Sequence, residues 1–300
     1  MKRKNIVAAI IVILIIVGAS LFAVFVGNMG VDSEFEVHEW GVFVKEYNCT
    51  EVLLGGSKSD IYYPDYLNMQ LYKPVIYFHS VEEKTNVKLQ VGSVKNATVI
   101  PDATLKDDSI FWDVVVENDI ITTDEEDDLR YNYLFYEGAT SYQTNIDADI
   151  KINNVNVTFR IKNLEAFSIS DVYFVYGKEK VFSEGNAEVL SGGMTYVYFE
   201  NINSGEEKNI TIKMMNETSY NASDMIPLLI NKGLTKNEAE ELVEYWRNFW
   251  FYPNLKEYSR ILYTIPQSEY DKLLPISIIP QPTSIKRVGI VTLTDIPLNP

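Results

Sequence analysis

The chain has 300 residues, of which 46% are hydrophobic and 23% are charged, and its formal net charge is −16. This length and apolar content can build a sizeable core, and the charged fraction is typical of a globular protein rather than a disordered acidic tail. The strongly acidic balance excludes nucleic acid as a partner, because such a surface repels phosphate backbones. The single cysteine, Cys49, excludes an internal disulfide, so the fold must be stable without one.

An N-terminal membrane anchor is predicted within residues 1–30. Lys2, Arg3 and Lys4 precede an uncharged apolar run at residues 6–26. A helix of that length extends about 31 Å, which matches the hydrocarbon thickness of a bilayer. Because the basic cluster precedes the run, the N-terminus is expected in the cytoplasm and the bulk of the chain outside it. The prediction is a single-pass protein of the cell membrane that contacts the lipid bilayer through residues 6–26; a cleaved signal peptide is the alternative.

Glycosylation of the exported part is a subsidiary prediction. An Asn-x-Ser/Thr motif marks an acceptor in an extracellular chain, and an attached glycan adds bulky hydrophilic cover to the surface. Six asparagines carry this motif: Asn48, Asn96, Asn156, Asn209, Asn216 and Asn221.

Residues 31–145 are predicted to form a β-rich region of short strands separated by polar loops. Between Val87 and Val91, apolar side chains alternate with Lys88 and Gln90, which is the period of a half-buried strand. Aromatic and β-branched residues mark further strands. These further strands are predicted at residues 36–45, 74–80, 111–116 and 131–136.

Residues 146–215 are predicted to form an antiparallel β-sandwich. Apolar and polar side chains alternate along strands that recur about every ten residues, with turn residues between them. The glycine-rich stretch at residues 191–193 is predicted to be one of these turns. This region resembles the Ig-like modules that are common in surface proteins of prokaryotes.

Residues 216–300 are predicted to form a helical hairpin followed by strands. Ser223 is expected to cap a short helix that ends at Gly233, and Thr235 with Glu238 has the spacing of a capping box at the start of a second helix. The apolar face of the second helix comprises Ala239, Leu242, Val243, Trp246, Phe249 and Trp250. Strands are then expected at residues 260–266, 275–280 and 286–294. The predicted fold class is therefore mainly β, with an α+β part at the C-terminus.

Several short motifs occur in a characteristic order across residues 37–291. They are His38-Glu39-Trp40-Gly41-Val42-Phe43, Lys73–Phe78, Tyr133–Gly138, the helix at 233–251, Arg260–Tyr263 and Leu274–Pro282. Together they resemble a family of uncharacterised exported prokaryotic proteins whose hallmark is His-Glu-Trp-Gly-Thr-Phe. Val42 replaces the hallmark threonine, and His79 stands where an aromatic residue usually follows the Tyr-Phe pair. The resemblance implies an exported protein and supplies no activity.

The two histidines of the chain, His38 and His79, are the first candidates for a functional site. Two imidazoles and a carboxylate can hold a catalytic metal ion, and the carboxylate could come from Glu39 or from an acid distant in the sequence. Such a site requires two segments about forty residues apart to lie side by side, as neighbouring strands would. In the alternative interpretation, His38 and Glu39 make local hydrogen bonds and His79 is a surface residue at a strand end.

Two other features are candidates for ligand binding. The acidic run that contains Asp124, Glu125, Asp127 and Asp128 offers the oxygen ligands that Ca²⁺ or Mg²⁺ requires, although it lacks the alternating spacing of known loops and also suits a solvated acidic loop. Trp40 lies beside Gly41 and could stack on a sugar or a peptide. Trp246 and Trp250, on the apolar helix face, are expected to be core residues.

The sequence contains no nucleophile elbow, P-loop or dinucleotide-binding fingerprint. The leading hypothesis is therefore a non-catalytic, extracellular cell-envelope module for binding, adhesion or scaffolding, whose partner is an envelope protein or a glycan. The alternative is a metal-assisted hydrolase that uses His38, Glu39 and His79 with a divalent cation.

Overall fold

The computed structural model describes residues 35–47, 52–54, 74–123, 129–140, 142–153, 155–184, 187–214, 222–251 and 257–299. The predicted anchor at 6–26, the acidic run at 124–128 and the asparagines Asn48, Asn216 and Asn221 lie outside these ranges. Within them, no helix combines the length and apolarity needed to cross a membrane. Asn96 and Asn209 are exposed and Asn156 is partly exposed; their glycosylation stays a prediction.

The described chain is mainly β, as predicted. Its strands, in chain order, are β1 (Glu36–Glu46), β2 (Val52–Leu54), β3 (Val75–His79), β4 (Thr85–Val91), β5 (Lys95–Ile100), β6 (Thr104–Lys106), β7 (Ser109–Glu117), β8 (Ile120–Thr123), β9 (Leu134–Thr140), β10 (Ile146–Ile152), β11 (Asn156–Asn163), β12 (Ile169–Glu184), β13 (Ala187–Ile202), β14 (Glu207–Lys213), β15 (Glu257–Ile265), β16 (Ile276–Ile279), β17 (Ser284–Thr294) and β18 (Leu298–Asn299). The helices are a short 3₁₀ turn (Ala222–Asp224), α1 (Met225–Asn231), α2 (Lys236–Phe251) and α3 (Gln267–Leu273).

A nine-stranded sheet forms the centre of the fold. Its strand order is β13-β12-β15-β17-β1-β2-β9-β3, and β5 also pairs with β9. Strand β1 pairs in parallel with β17 and antiparallel with β3. The central sheet thus combines strands from all three of the regions that were predicted outside the anchor.

Two smaller sheets and the helical hairpin cover the central sheet. The five-stranded sheet has the order β16-β4-β7-β6 with β8 on β7, and the four-stranded sheet has the order β14-β11-β10-β18. One face of the central sheet packs against these sheets in a core that includes Phe43 and Ile76. The other face packs against α1 and α2 in a second core that includes Trp40 and Trp246. Because successive side chains of a strand point to opposite faces, β1 contributes alternate residues to the two cores.

The predicted helical hairpin is confirmed, with one correction at its start. The backbone N–H of Thr235 donates to Glu238 Oε2 at 2.6 Å and the backbone N–H of Glu238 donates to Thr235 Oγ1 at 3.3 Å, which is a capping box. All six residues of the predicted apolar face are buried. Gly233, with φ of +105°, ends the hairpin's first helix as expected. Ser223 is not its cap, because the 3₁₀ turn precedes α1 and makes Asp224 the N-cap residue, without a side-chain bond.

Two further elements differ from the sequence prediction. The glycine-rich stretch at 191–193 is not a turn, because β13 runs through it and pairs there with residues 178–180 of β12. The continuous cross-strand pairing of this long ribbon outweighs the turn preference of the two glycines. Helix α3, between β15 and β16, was not predicted.

Candidate metal centre

The pairing of β1 with β3 brings the two histidines together. His38 lies directly opposite Tyr77, and Glu36 lies directly opposite His79. His38 and His79 are therefore diagonal neighbours on the same face of the sheet. Their ring centroids are 4.4 Å apart. The requirement that two segments about forty residues apart lie side by side is met.

The third member of the cluster, Glu238, comes from the first turn of α2. Its carboxylate is held over β1 and β3 by the capping box with Thr235, because Glu238 Oε2 accepts the Thr235 backbone N–H. The apolar face of α2 is buried against the central sheet, which fixes the position of the helix start. The same residue thus caps the helix and presents its carboxylate to the histidines.

The three side chains form a compact set of potential metal ligands. His38 Nδ1 lies 3.0 Å from Glu238 Oε2, and His79 Nε2 lies 2.7 Å from Glu238 Oε1. One ligand atom from each residue lies within 4.8 Å of the other two. The Glu238 side chain is 3% exposed, that of His38 8% and that of His79 27%. The cluster is therefore largely enclosed, with solvent access on the His79 side.

The electrostatics of the cluster favour a negatively charged Glu238. Burial opposes ionisation of Glu238, but its hydrogen bonds with His38 and His79 outweigh burial and lower its pKa to about 2. The hydrogen bond to Glu238 raises the pKa of His79 above its usual value, although burial acts in the opposite direction. A carboxylate that is charged at neutral pH between two imidazoles is the arrangement that a metal cation needs.

The residue types and their spacing suit a zinc-class transition metal. Zinc binds imidazole nitrogen and carboxylate oxygen at about 2.0–2.2 Å, so tetrahedral ligands stand roughly 3.4 Å apart. The two observed nitrogen–oxygen distances in the cluster, 3.0 and 2.7 Å, would widen by roughly half an ångström, within the reach of small side-chain rotations. Two imidazoles favour zinc and its neighbours over the oxygen-preferring Ca²⁺ and Mg²⁺.

Further polar and aromatic groups surround the cluster. Glu36 Oε2 lies 3.6 Å from His38 Nε2. Tyr77 stacks beside His79, with 6.3 Å between ring centroids, and donates its hydroxyl to Glu241 Oε2 at 2.7 Å. Burial and the adjacent Glu241 raise the pKa of Tyr77 well above its usual value, so this hydroxyl stays protonated. Of these groups, Glu36 and Glu241 are acidic and none is basic.

Glu39 does not belong to this cluster, which corrects the ligand set expected from the sequence. It follows His38 on β1 and therefore points to the opposite face. There it is fully buried and accepts hydrogen bonds from Tyr136 Oη at 2.5 Å, Tyr270 Oη at 2.8 Å and Arg287 Nε at 2.7 Å. Glu39 is the centre of a core ion pair, and the acid beside the histidines is the distant Glu238.

Trp40 offers no exposed ring to a ligand. It is fully buried in the core between the central sheet and the hairpin. A Cβ at the adjacent Gly41 would lie 2.7 Å from Tyr270 Oη and 2.9 Å from Pro74, so the glycine allows close packing rather than ligand access. Stacking of a sugar or peptide on Trp40 is excluded by this burial. Trp246 and Trp250 are core residues, as predicted.

Comparisons with known proteins give no functional identification. No family model and no curated protein matches the chain. Among solved structures, it is similar to the yeast delta-COP-I mu-homology domain complexed with the Dsl1 WxWxV peptide, with 7% identity, a TM-score of 0.34 and coverage of 90% of this chain and 99% of that one. The yeast delta-COP-I mu-homology domain itself gives 8% identity, the same TM-score and the same coverage. Bacteroides uniformis beta-glucuronidase gives 9% identity and a TM-score of 0.14, with coverage of 87% and 32%. TM-scores and identities this low do not assign a fold family or a function to the chain.

Proposed function

We propose that this protein is a single-pass, extracytoplasmic membrane protein that binds a zinc-class metal ion through His38, His79 and Glu238. One observation carries the proposal: three ligand atoms from three separate elements lie within 4.8 Å of one another. The basic cluster and the apolar run at 6–26 support the membrane anchor and its orientation. In this proposal the metal centre serves a cell-envelope binding role, with an envelope protein or a glycan as the partner.

The use of the histidines supports a metal site over ordinary hydrogen bonding. The chain has only two histidines, and both converge on one carboxylate that is already held by its own helix cap. A carboxylate at a helix start needs no imidazole partner to be stable, because the cap and the helix dipole already favour its charge. Two imidazoles and one glutamate form one of the ligand sets that hold catalytic zinc.

The centre has the features of a functional metal site rather than of a structural metal site. Each ligand lies on an element that a large core already holds, so the site is formed before the metal binds. Small zinc-dependent domains lack such a core and unfold without metal. Three protein ligands also leave a coordination position for water or an external group, as in catalytic zinc sites. His79 provides the solvent-accessible side.

Metal analysis of the full-length protein, purified in detergent, tests the proposal. We expect about one zinc per chain after equilibration with zinc and dialysis, and its loss in His38→Ala, His79→Ala and Glu238→Gln. Glutamine is accepted in a capping box, so Glu238→Gln removes the ligand charge while it keeps the helix cap. Glu244→Gln, an exposed acid on the same helix, is the matched control and should keep its zinc. A wild-type protein without zinc would reject the metal proposal.

A metal-assisted hydrolase is the second candidate, and the open coordination position favours it. The ligand set is that of the hydrolase predicted from the sequence, with Glu238 in place of Glu39. His38, His79 and Glu238 would hold the metal ion, which would lower the pKa of a bound water and so supply a nucleophile near neutral pH. Zinc-loaded protein should then hydrolyse chromogenic esters or phosphoesters, and His38→Ala should not. Zinc binding without hydrolysis of any ester offered would support the binding role.

The membrane orientation has its own test. Protease added to intact cells should digest the bulk of the chain, because the anchor leaves it outside the cytoplasm. Digestion only after lysis would contradict the predicted topology.

A further inference from the structure

The second ring nitrogen of His38 determines whether this residue can bind a metal. His38 directs Nδ1 at Glu238, at 3.0 Å, and leaves Nε2 on the opposite side of the ring. A neutral imidazole carries one proton, and only the tautomer with that proton on Nε2 has a free lone pair on Nδ1. A group that accepts the Nε2 proton would therefore select the tautomer that binds metal.

Glu36 occupies the position from which that proton can be accepted. Glu36 and His38 are two residues apart on β1, so their side chains lie on the same face of the sheet. Glu36 Oε2 is 3.6 Å from His38 Nε2, and within the described ranges this is the ion pair that Glu36 makes. The Glu36 side chain is 48% exposed, which leaves space around it for a change of rotamer. A shift of about half an ångström would bring the two atoms to hydrogen-bond distance.

We propose that Glu36 is a positioning residue of the metal centre. It accepts the Nε2 proton of His38 and so keeps the lone pair of His38 Nδ1 available to the metal. The proposal rests on the proposed metal function. Ligating histidines in proteins almost always donate their other ring N–H to a carboxylate, a carbonyl or water, which fixes the ring orientation and raises the basicity of the ligand. Glu36 is the carboxylate that lies beside this nitrogen.

The same geometry argues against Glu36 as a metal ligand. The approach of Glu36 is to Nε2, whereas the metal would lie at Nδ1, on the side of the ring that faces Glu238 and His79. Glu36 therefore acts on His38 from outside the ligand set.

The test compares metal affinity in four forms of the full-length protein in detergent. Zinc dissociation constants are measured by competition with a chromophoric chelator for the wild type, Glu36→Ala, Glu36→Asp and Glu240→Gln. Removal of an outer carboxylate typically weakens metal affinity by about 10- to 100-fold, and we expect this for Glu36→Ala. Glu36→Asp should recover part of the loss. Glu240, an exposed acid paired with Lys236, controls for the general loss of one negative charge and should stay near the wild type.

A second readout separates positioning from ligation. The visible spectrum of the cobalt-substituted protein reports the number and type of metal ligands, so Glu36→Ala should keep the wild-type spectrum at saturating cobalt. Wild-type zinc affinity in Glu36→Ala would overturn the proposal while the metal site stands. A changed cobalt spectrum would overturn it by making Glu36 a ligand. A wild-type protein that binds no metal would overturn both the metal site and this inference.

Discussion

Two neighbouring residues of β1, His38 and Glu39, lie in two acid-centred clusters with opposite properties. The inner cluster places Glu39 against Arg287 with two tyrosine hydroxyls, and its ion pair is fully buried. The outer cluster places Glu238 against His38 and His79, with partial exposure on one side. In the inner cluster the counter-charge is a guanidinium that never deprotonates near neutral pH. In the outer cluster the partners of the carboxylate are two imidazoles, whose ring protons a metal can replace.

Because their partner groups differ, the two clusters have different roles. The inner cluster joins β1, β9, β17 and α3, and Arg287 also donates to Asp271 Oδ1 at 2.9 Å and to the Leu274 carbonyl at 2.7 Å. This cluster stabilises the fold, and it contains no group whose proton a metal ion could replace near neutral pH. The outer cluster joins β1, β3 and α2 through groups that can exchange protons for a metal. Substitutions in the inner cluster should therefore change stability, whereas those in the outer cluster should change metal binding.

The largest expected effect is the loss of the inner cation. Arg287→Met would leave Glu39 buried without its counter-charge, and removal of one partner of a buried ion pair typically costs about 3–5 kcal/mol. We expect that decrease in the free energy of unfolding, measured by urea denaturation. Arg247→Met, at an exposed pair on α2, should cost less than about 1 kcal/mol. Equal effects of the two substitutions would show that the buried ion pair of the inner cluster contributes no more to stability than a surface pair.

The second-largest effect is expected in the outer cluster, where a substitution should change zinc affinity more than stability. Glu238→Gln should weaken zinc binding by more than the 10- to 100-fold that outer partners contribute, because it removes a direct ligand. The unfolding free energy of the metal-free protein should fall by about 1–3 kcal/mol, because glutamine keeps the capping box but loses the charge-assisted hydrogen bonds with the two imidazoles. Isothermal titration with zinc and urea denaturation give the two numbers. A large stability loss with unchanged zinc affinity would contradict the account.

A smaller effect is expected at Gly41, which lies beside the inner cluster. Gly41→Ala would place a methyl group 2.7 Å from Tyr270 Oη, which donates to Glu39, and 2.9 Å from Pro74. Overpacking of this kind costs about 1–3 kcal/mol. We expect a lower thermal unfolding midpoint with unchanged zinc affinity, because the outer cluster lies on the other face. Loss of zinc binding in Gly41→Ala would show that the two faces are coupled.

The smallest effect is a pH dependence that arises from the outer cluster. The hydrogen bond to Glu238 raises the pKa of His79, so its contribution to stability is full below the unfolded value of 6.5 and is lost as pH rises through the raised value. The pKa of Glu238 is lowered to about 2, so its contribution is full above the unfolded value of 4.5 and is lost as pH falls towards 2. The contribution of this cluster to the stability of the metal-free protein should therefore be largest between about pH 4.5 and 6.5.

Bound zinc should reverse the dependence of stability on pH above about pH 6.5. Metal ligation needs neutral imidazoles, so zinc affinity should rise with pH where the stability of the metal-free protein falls. Thermal unfolding midpoints of the two forms between pH 5 and 8.5 test this. His79→Gln, which cannot titrate in this range, is the control and should flatten the metal-free profile. Parallel profiles for the two forms would contradict the exchange of protons for metal.

The sequence predicts the local elements well because their signals are local. The alternation at Val87, Leu89 and Val91 marks a strand, and the apolar spacing from Ala239 to Trp250 marks a helix; both are confirmed. The Thr235–Glu238 spacing predicts a capping box. The ribbon at 191–193 shows the limit, since long-range pairing outweighed a local turn signal.

The candidate site is predicted only in part, because its third ligand is remote. Both histidines are identified by their rarity, and the adjacent strands that such a site requires are β1 and β3. Glu39 is an attractive choice as the acid because it follows His38, but neighbours on a strand point to opposite faces. Glu238 is recognised for its cap alone, and no local signal shows that a helix start 200 residues later lies over β1. Only the packing of α2 on the central sheet supplies that information.

The most direct measurement is anomalous X-ray scattering at the zinc edge from crystals of the protein grown with zinc. We expect one strong peak within bonding distance of His38 Nδ1, His79 Nε2 and a carboxylate oxygen of Glu238, with Glu39 still bound to Arg287. Crystals with no peak at this place, and with the two imidazoles still hydrogen-bonded to Glu238, would contradict this expectation.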